Sequence, residues 1–261
     1  MAPATLFTLR YLLVFAIFFV VVLPLDATGD LSRQLVLSAA TWLFVVFAAK
    51  AIPRVERLQF LTMIVVATGY ECLGSILWGL YRYRLGNLPM YVPPGHGLFY
   101  LAALRVRSLP FVAKHGRAIM IGVLVLSGLS ALRGAIGPGQ HDMLGLACWF
   151  LLVAAFYHGR DPLFFAVSFV LTMALEYYGT SLGTWRWQEA MPYLGVSSGN
   201  PPSAIGAGYC VIDATTQLAL PMADKLARRL MTLLRAGREA VGMIDPPAEN
   251  VARADAAALS K

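Results

Sequence analysis

Two glutamates that follow apolar stretches are the residues of this sequence best suited to acid–base chemistry. Glu71 and Glu176 each lie near the end of an apolar stretch, and a carboxylate inside a membrane is expensive and commonly functional. We therefore predict that both are catalytic, either as a general acid and base or as an acid with an orienting partner. The alternative is a structural clamp, in which each glutamate pairs with the arginine that follows it, Arg82 or Arg186.

A third carboxylate, Asp213, lies midway along the last apolar stretch of the chain. It has no counterpart at the matching place in the first half of the sequence. An aspartate at that depth needs a polar cavity or a protonatable neighbour, so Asp213 is also predicted to be catalytic. The alternative is a hydrogen bond to Thr215, Thr216 or another helix.

An aromatic–arginine–aromatic triplet follows each glutamate about ten residues later. The triplets are Tyr81-Arg82-Tyr83 and Trp185-Arg186-Trp187. We predict that they bind substrate, because aromatic faces stabilise a cation and arginine binds a carboxylate or a head-group phosphate. Tyrosine and tryptophan also gather at membrane interfaces, so an interfacial belt remains the alternative.

His96 is a further candidate for substrate binding or proton movement, since a histidine titrates near neutral pH. It follows Pro93-Pro94-Gly95, and the alternative is a solvated interfacial side chain. The other histidines and the three cysteines show no metal-ligand spacing. No nucleotide-binding glycine loop or nucleophile elbow occurs in the chain, so no metal and no organic cofactor is predicted.

The elements that must position these residues are membrane-spanning helices. Of the 261 residues, 58% are apolar and 13% are charged, whereas soluble domains carry roughly 25% charged residues. The net charge of +7 comes largely from basic residues in short segments between apolar runs, where they set membrane orientation. Membrane lipids are therefore expected partners, and nucleic acid is not.

Eight apolar segments are long enough to be read as membrane spans. They cover residues 7–25, 34–52, 59–80, 92–105, 117–136, 143–158, 162–181 and 203–222. The fourth and sixth are short and could be tilted or partly re-entrant. Leucines then alternate with basic residues at helical spacing to Arg238, which predicts an amphipathic helix on an anionic membrane face. Residues 242–261 are Pro/Ala-rich, which predicts disorder.

The distribution of lysine and arginine between the loops predicts the orientation of these spans. A cytoplasmic N-terminus leaves nine basic residues in the inner loops and five in the outer ones, before the basic tail is added. The positive-inside rule then favours an integral protein of a bacterial-type inner membrane with both termini in the cytoplasm. The loops that carry the two triplets fall on the outer side.

The two halves of the sequence resemble each other. The glutamates are 105 residues apart and the triplet arginines 104. We predict an all-α polytopic fold of about eight transmembrane helices, arranged as two parallel four-helix repeats at residues 1–112 and 113–222. Residues 223–261 form the amphipathic helix and tail. Sites in such proteins often lie where the repeats meet, which would bring both glutamates to one cavity.

These motifs resemble a known family. The pattern comprises Glu71-x-x-Gly74, Gly79, Tyr81-x-Tyr83, Leu85-Gly86, Val92-Pro93, Trp185-x-Trp187, Tyr193-Leu-Gly195-Val196 and Asn200. It is similar to the signatures of integral-membrane carotenoid-biosynthesis hydratases and covers about a third of the chain. The resemblance implies a cofactor-independent enzyme in which a carboxylic acid protonates an isoprenoid double bond. It also implies that Asn200 belongs to the substrate site.

The carbocation formed by that protonation leaves several reactions open. Hydration, isomerisation and cyclisation differ only in what quenches the cation, and the sequence does not choose among them. Two other classes of function also remain open. Intramembrane carboxylates serve proton-coupled transporters of small molecules or lipids, and the chain could be a non-catalytic partner subunit of a membrane complex. The oligomeric state is not predicted.

Overall fold

The computed structural model describes residues 3–139 and 141–240, and within them the chain is almost entirely helical. The helices are α1 Pro3–Ala27, α2 Leu31–Ala51, α3 Arg54–Glu71, α4 Val92–Arg107, α5 Pro110–Lys114, α6 Gly116–Ile136, α7 Met143–His158, α8 Pro162–Leu182 and α9 Gly208–Ala240. A π-helix, Cys72–Leu77, continues α3, and a short 3-10 helix, Ile205–Ala207, precedes α9. The predicted disordered segment, residues 242–261, lies outside the described residues.

Five helical segments of the described chain are long and apolar enough to cross a membrane. They are Thr8–Ala27, Leu31–Ala51, Arg54–Leu77, Gly116–Ile136 and Pro162–Leu182. The apolar α7 is shorter, with 16 residues, and at 1.5 Å per residue it covers about 24 Å of a hydrocarbon core that is roughly 30 Å thick. A polytopic α-helical membrane protein is therefore the architecture that these helices support.

Helix α4 occupies the interior of the bundle. Residues 93–95 and 97–103 are all buried, and the helix packs against α1, α2, α3 and α8. Close approach to α3 depends on Gly97, because a Cβ atom there would lie 2.5 Å from Ile64. A helix that is buried on every side lies either in a protein core or in a membrane span, and this burial accounts for the apolar composition of residues 97–103.

Side-chain caps fix where several helices begin. Asp30, Asp142 and Asp161 accept hydrogen bonds from backbone N–H groups in the first turns of α2, α7 and α8 respectively. These carboxylates satisfy donors that have no partner within the helix. Pro162 then occupies the first position of α8, where its missing N–H costs nothing.

A small antiparallel sheet departs from the all-α prediction. Strand β1, Tyr81–Tyr83, pairs with β2, Trp185–Trp187. In the register, Arg82 lies opposite Arg186, and each outer tyrosine faces a tryptophan. Because successive side chains of a strand point to opposite faces, the four rings share one face and the two arginines the other. The sequence triplets are therefore the two strands of one sheet.

The chain divides into two compact units between Leu218 and Ala219. The first unit contains the helices from α1 to α8, the sheet and the start of α9. In the second, α9 continues to Ala240, and its apolar side chains are largely exposed. These exposed residues include Leu226, Leu230, Leu233 and Leu234.

Candidate functional site

Both predicted catalytic glutamates line one cavity in the first unit. The cavity has a volume of about 490 Å³, and its walls come from α1, α3, α4, α7, α8, α9, the π-helix and the sheet. Most of the lining is apolar. The side chains in the lining that carry hydrogen-bonding groups include Glu71, Tyr81, Tyr83, His96, Glu176, Trp185, Trp187 and Tyr209.

Glu71 ends α3 and is buried, with 8% of its surface exposed. Its Oε2 atom accepts hydrogen bonds from the hydroxyls of Tyr81 and Tyr83, each at 2.8 Å. Its Oε1 atom lies 2.8 Å from Nε2 of His96. Both carboxylate oxygens are thus engaged, which offsets the free-energy cost of removing a carboxylate from water.

His96 continues this network to the last helix. Its Nδ1 atom lies 2.7 Å from the hydroxyl oxygen of Tyr209, and Tyr209 packs against Phe99 with ring centroids 4.8 Å apart. The three side chains Glu71, His96 and Tyr209 form a continuous hydrogen-bonded chain along the cavity wall. The sequence indicated His96 but not Tyr209, because nothing local distinguishes a tyrosine in the first turn of an apolar helix.

Glu176 has a different set of partners. Its Oε2 atom accepts hydrogen bonds from the indole N–H groups of Trp185 and Trp187, both at 2.9 Å. Its other oxygen, Oε1, accepts no hydrogen bond from the described residues. The residue lines the cavity, so one carboxylate atom of Glu176 remains available to a bound molecule. Glu71 and Glu176 therefore occupy corresponding positions but have different hydrogen-bond partners.

A glycine three residues after each glutamate makes room for the ring that binds it. A Cβ atom at Gly74 would lie 3.1 Å from the ring of Tyr81, and one at Gly179 would lie 1.9 Å from the ring of Trp185. The recurring Glu-x-x-Gly pattern thus has a steric cause. At Gly179 only a residue without a side chain lets the ring lie over the helix and reach the carboxylate, and at Gly74 a Cβ atom would make a tight contact with the ring.

The π-helix explains a small mismatch between the two halves. Glu71 precedes Tyr81 by ten residues, whereas Glu176 precedes Trp185 by nine. A π-helix closes each turn with one more residue than an α-helix, and Cys72–Leu77 adopts this form, whereas α8 stays α-helical to Leu182. The π-helix therefore accommodates the extra residue of the first half, and the side chains of Tyr81 and Trp185 both reach their glutamates.

The tyrosines of β1 are stable hydrogen-bond donors. Burial and the neighbouring carboxylate of Glu71 both raise the pKa of Tyr81 and of Tyr83 well above the usual value for tyrosine. A phenol next to a carboxylate in a poorly solvated site resists ionisation because the two negative charges would repel. Both hydroxyls therefore keep their protons and continue to donate to Glu71.

The arginines of the triplets do not touch the glutamates. Arg82 and Arg186 are exposed, on the face of the sheet opposite to the rings. The alternative of two glutamate–arginine clamps is therefore wrong, since the glutamates are held by aromatic donors instead. Strand geometry decides this, because three alternating residues cannot put the arginine and its neighbouring rings on one face.

Asn200 supports the sheet from outside the cavity lining. Its Oδ1 atom accepts a hydrogen bond from the backbone N–H of Trp187 at 2.9 Å. The loop around it is held by Asp142, a residue that no pattern in the sequence distinguishes. The carboxylate of Asp142 accepts hydrogen bonds from the backbone N–H groups of Gly199 and Ser203. Asn200 thus acts on the site by fixing β2.

Asp213 is buried in α9 but is not among the residues that line the cavity. Its Oδ1 atom lies 3.4 Å from the side-chain nitrogen of Gln217. The two threonines considered as its partners bind elsewhere, since Thr215 contacts the hydroxyl of Tyr70 and Thr216 donates to a backbone carbonyl. The structure therefore brings Glu71 and Glu176 together and leaves Asp213 apart.

Among residues 3–139 and 141–240, no group of three or more His, Cys, Asp or Glu side chains is arranged to hold a metal ion. Comparison of the chain with protein-family models, with curated proteins and with solved structures finds no match.

Proposed function

We propose that this protein is a membrane enzyme that performs acid–base chemistry on an isoprenoid or another lipid-soluble substrate. The observation that carries the proposal is that Glu71 and Glu176 line one largely apolar cavity with different hydrogen-bond environments. An apolar cavity favours an apolar substrate. Two carboxylates in unlike environments allow one to donate a proton while the other accepts one.

Glu176 is the proposed acid. Its Oε1 atom, which accepts no hydrogen bond from the described residues, would carry the proton and give it to one carbon of a double bond. The π electrons form the new C–H bond, and the neighbouring carbon becomes a carbocation. The indole N–H groups of Trp185 and Trp187 on Oε2 would stabilise the carboxylate that remains, as donors aimed at developing charge do.

The aromatic rings of the sheet would stabilise the carbocation. Tyr81 and Trp187 lie with ring centroids 4.6 Å apart, and Tyr83 and Trp185 lie 6.2 Å apart. All four rings line the cavity, and the face of an aromatic ring attracts a cation through its quadrupole. The four rings would therefore stabilise a positively charged intermediate in a site with few other counter-charges.

The chain Tyr209–His96–Glu71 is the proposed proton acceptor. In hydration, the oxygen of water bonds to the cation and loses a proton to Tyr209, whose own proton moves to His96 while the His96 Nε2 proton moves to Glu71. In isomerisation the same chain removes a proton from a carbon beside the cation. Proton return to Glu176 then closes the cycle. Hydration, isomerisation and cyclisation would all begin with the protonation of the double bond by Glu176.

Access from the bilayer supports a lipid-soluble substrate. Leu73 of the π-helix and Leu151 of α7 line the cavity, yet they are 46% and 37% exposed. These two leucines therefore belong both to the cavity wall and to the apolar exterior of the protein. In a lipid bilayer such a surface faces acyl chains, so an apolar substrate could enter sideways without crossing water.

The proposal includes the parallel repeat, the orientation and the family. The in-register pairing of Arg82 with Arg186 and the two Glu-x-x-Gly motifs favour two related halves, residues 1–112 and 113–222. The basic residues favour cytoplasmic termini in a bacterial-type inner membrane. The motif resemblance favours the chemistry of integral-membrane carotenoid-biosynthesis hydratases. Each of these is an inference from pattern, and together they make a cofactor-independent lyase or isomerase the preferred class.

Deletion of the gene followed by profiling of nonpolar lipids tests the proposal. We expect one isoprenoid to accumulate and a second to disappear, the second being heavier by one water or equal in mass. Complementation with wild type should restore the profile. Glu176→Gln and Glu71→Gln should each fail to do so, because loss of a general acid or base lowers turnover by about 10²–10⁴-fold.

Glu56→Gln is the matched control, because Glu56 pairs with Arg105 and does not line the cavity. It should restore the profile at equal protein abundance in the membrane. An unchanged lipid profile on deletion, together with an altered gradient of an intact solute, would instead identify a transporter. Full complementation by Glu176→Gln would remove Glu176 from the mechanism.

A further inference from the structure

The exposed face of the sheet carries two arginines directly opposite each other. Arg82 and Arg186 are register partners in β1 and β2. Directly opposed like charges weaken an antiparallel pair, so this arrangement costs free energy unless an anion lies between them. It is separate from the cavity, which lies on the ring face of the same sheet.

Little in the described protein neutralises these charges. The Nη2 atom of Arg186 lies 3.9 Å from Glu189, with side chains that are 75% and 81% exposed, so this pair is weak. Arg82 has no hydrogen bond or ion pair with the described residues. By contrast, the neighbouring Arg84 donates to the backbone carbonyls of Asp26 and Gly29 and is already occupied.

The sheet follows directly on two spans, which places the arginines at head-group depth. β1 begins four residues after the candidate span that ends at Leu77, and β2 begins three residues after the one that ends at Leu182. Four residues extend at most about 14 Å, which is comparable with the polar head-group layer of a bilayer. Phosphate groups are the most abundant anions at that depth.

We propose that Arg82 and Arg186 together form a phosphate-binding clamp for the head group of an anionic membrane phospholipid. Each guanidinium presents parallel N–H donors that match phosphate oxygens. One phosphate between the two side chains would accept hydrogen bonds from both strands and cancel their repulsion. The clamp would tie the sheet to the membrane surface while its rings hold the two glutamates on the other face.

Lipid titration followed by native mass spectrometry tests the clamp on the full-length protein in detergent. Phosphatidylglycerol and phosphatidylcholine are the lipid probes, and inorganic phosphate is a competitor. We expect the wild type to retain phosphatidylglycerol preferentially. Arg82→Gln or Arg186→Gln should each raise its apparent dissociation constant by roughly tenfold, as loss of a charge-assisted hydrogen bond does. The double variant should lose little more, because a clamp needs both arms.

The double variant Arg33→Gln, Arg133→Gln is the control, since it removes the same charge from exposed positions in the first turn of α2 and the last turn of α6, which are predicted to lie on the outer side. Its lipid retention should match the wild type. Competition by millimolar inorganic phosphate would support the clamp but identify free phosphate as a ligand. Equal loss in the control and clamp variants, or no loss in either, would overturn the proposal. Neither result bears on the acid–base chemistry.

Discussion

Glu71 and Glu176 occupy corresponding positions, but their hydrogen-bond partners give them different capacities. Glu71 is held by two phenols and an imidazole, so it is well placed to anchor a proton chain. Among the described residues, Glu176 finds donors for one of its oxygens only. In the proposed mechanism, these different partners, tyrosine for one glutamate and tryptophan for the other, make one glutamate the base and the other the acid.

The role of Tyr209 can be tested by a substitution that removes a single oxygen atom. Tyr209→Phe removes the hydroxyl that contacts His96 but keeps the ring packed on Phe99. We expect turnover of the isoprenoid to fall by about 10²-fold or more if the hydroxyl transfers a proton, with only a small loss of thermal stability. Lipid extraction from complemented deletion cells measures the first, and thermal unfolding in detergent the second.

Tyr11→Phe is its control, because the Tyr11 hydroxyl donates to a backbone carbonyl in the core at 2.8 Å and lies outside the cavity lining. The two variants lose similar hydrogen bonds, worth about 1 kcal/mol each. They should therefore differ in turnover and agree in stability. Equal turnover would exclude the hydroxyl of Tyr209 from proton transfer.

At the scale of elements, short irregular segments position the site. The π-helix absorbs one residue between Glu71 and Tyr81, and the sheet carries rings from two distant parts of the chain. These segments work because Gly74 and Gly179 let the rings lie across the helices. Without the sheet, the glutamates would lack the tyrosine and tryptophan donors that its strands supply.

Glycine substitutions should therefore have graded effects. Gly179→Ala must displace the ring of Trp185, since the new Cβ would lie 1.9 Å from it. We expect the free energy of unfolding to fall by about 1–3 kcal/mol, as is typical of overpacking. Turnover should also fall, because the displaced indole N–H of Trp185 can no longer donate to Glu176. Gly74→Ala, with 3.1 Å to Tyr81, should have a smaller effect. Thermal unfolding and lipid profiling measure both.

Gly122→Ala provides the reference for these variants. Gly122 lies inside α6 and a Cβ atom there would meet nothing within 4 Å. Alanine stabilises a helix by up to about 1 kcal/mol relative to glycine, so this variant should be as stable as the wild type or slightly more so. The steric account of Glu-x-x-Gly fails if all three substitutions behave alike.

At the scale of the whole molecule, orientation in the membrane decides which side the sheet faces. The positive-inside count predicts that the loop after β2 lies outside and that the segment between α4 and α6 lies in the cytoplasm. Leu194 and Lys114 represent these loops, and both are exposed. The two positions lie within the same compact unit, so one labelling experiment tests them together.

Single cysteines at these positions, in a background without Cys72, Cys148 and Cys210, should react differently with a membrane-impermeant maleimide. In intact spheroplasts we expect Leu194→Cys to be labelled and Lys114→Cys to be labelled only after permeabilisation. The opposite pattern would invert the orientation. Labelling of both before permeabilisation, with the spheroplasts shown to be sealed, would contradict a membrane passage between the two loops.

The sequence by itself predicted apolar helices long enough to cross a membrane, most helix positions and the pair of glutamates with their triplets. These features are local, because apolar length and residue spacing can be read along the chain without knowing what packs together. The sequence predicted neither the strand form of the two triplets nor their pairing in one sheet.

Only the tertiary structure decided which side chains meet. His96 and Tyr209 are 113 residues apart, and Asp142 holds a loop more than fifty residues away. Strand alternation turned the arginines outward and the rings inward, while packing of α9 left Asp213 outside the lining of the cavity. Hydrogen bonds over such separations depend on where helices pack, and the residue pattern of a single helix carries no information about the partner it will meet.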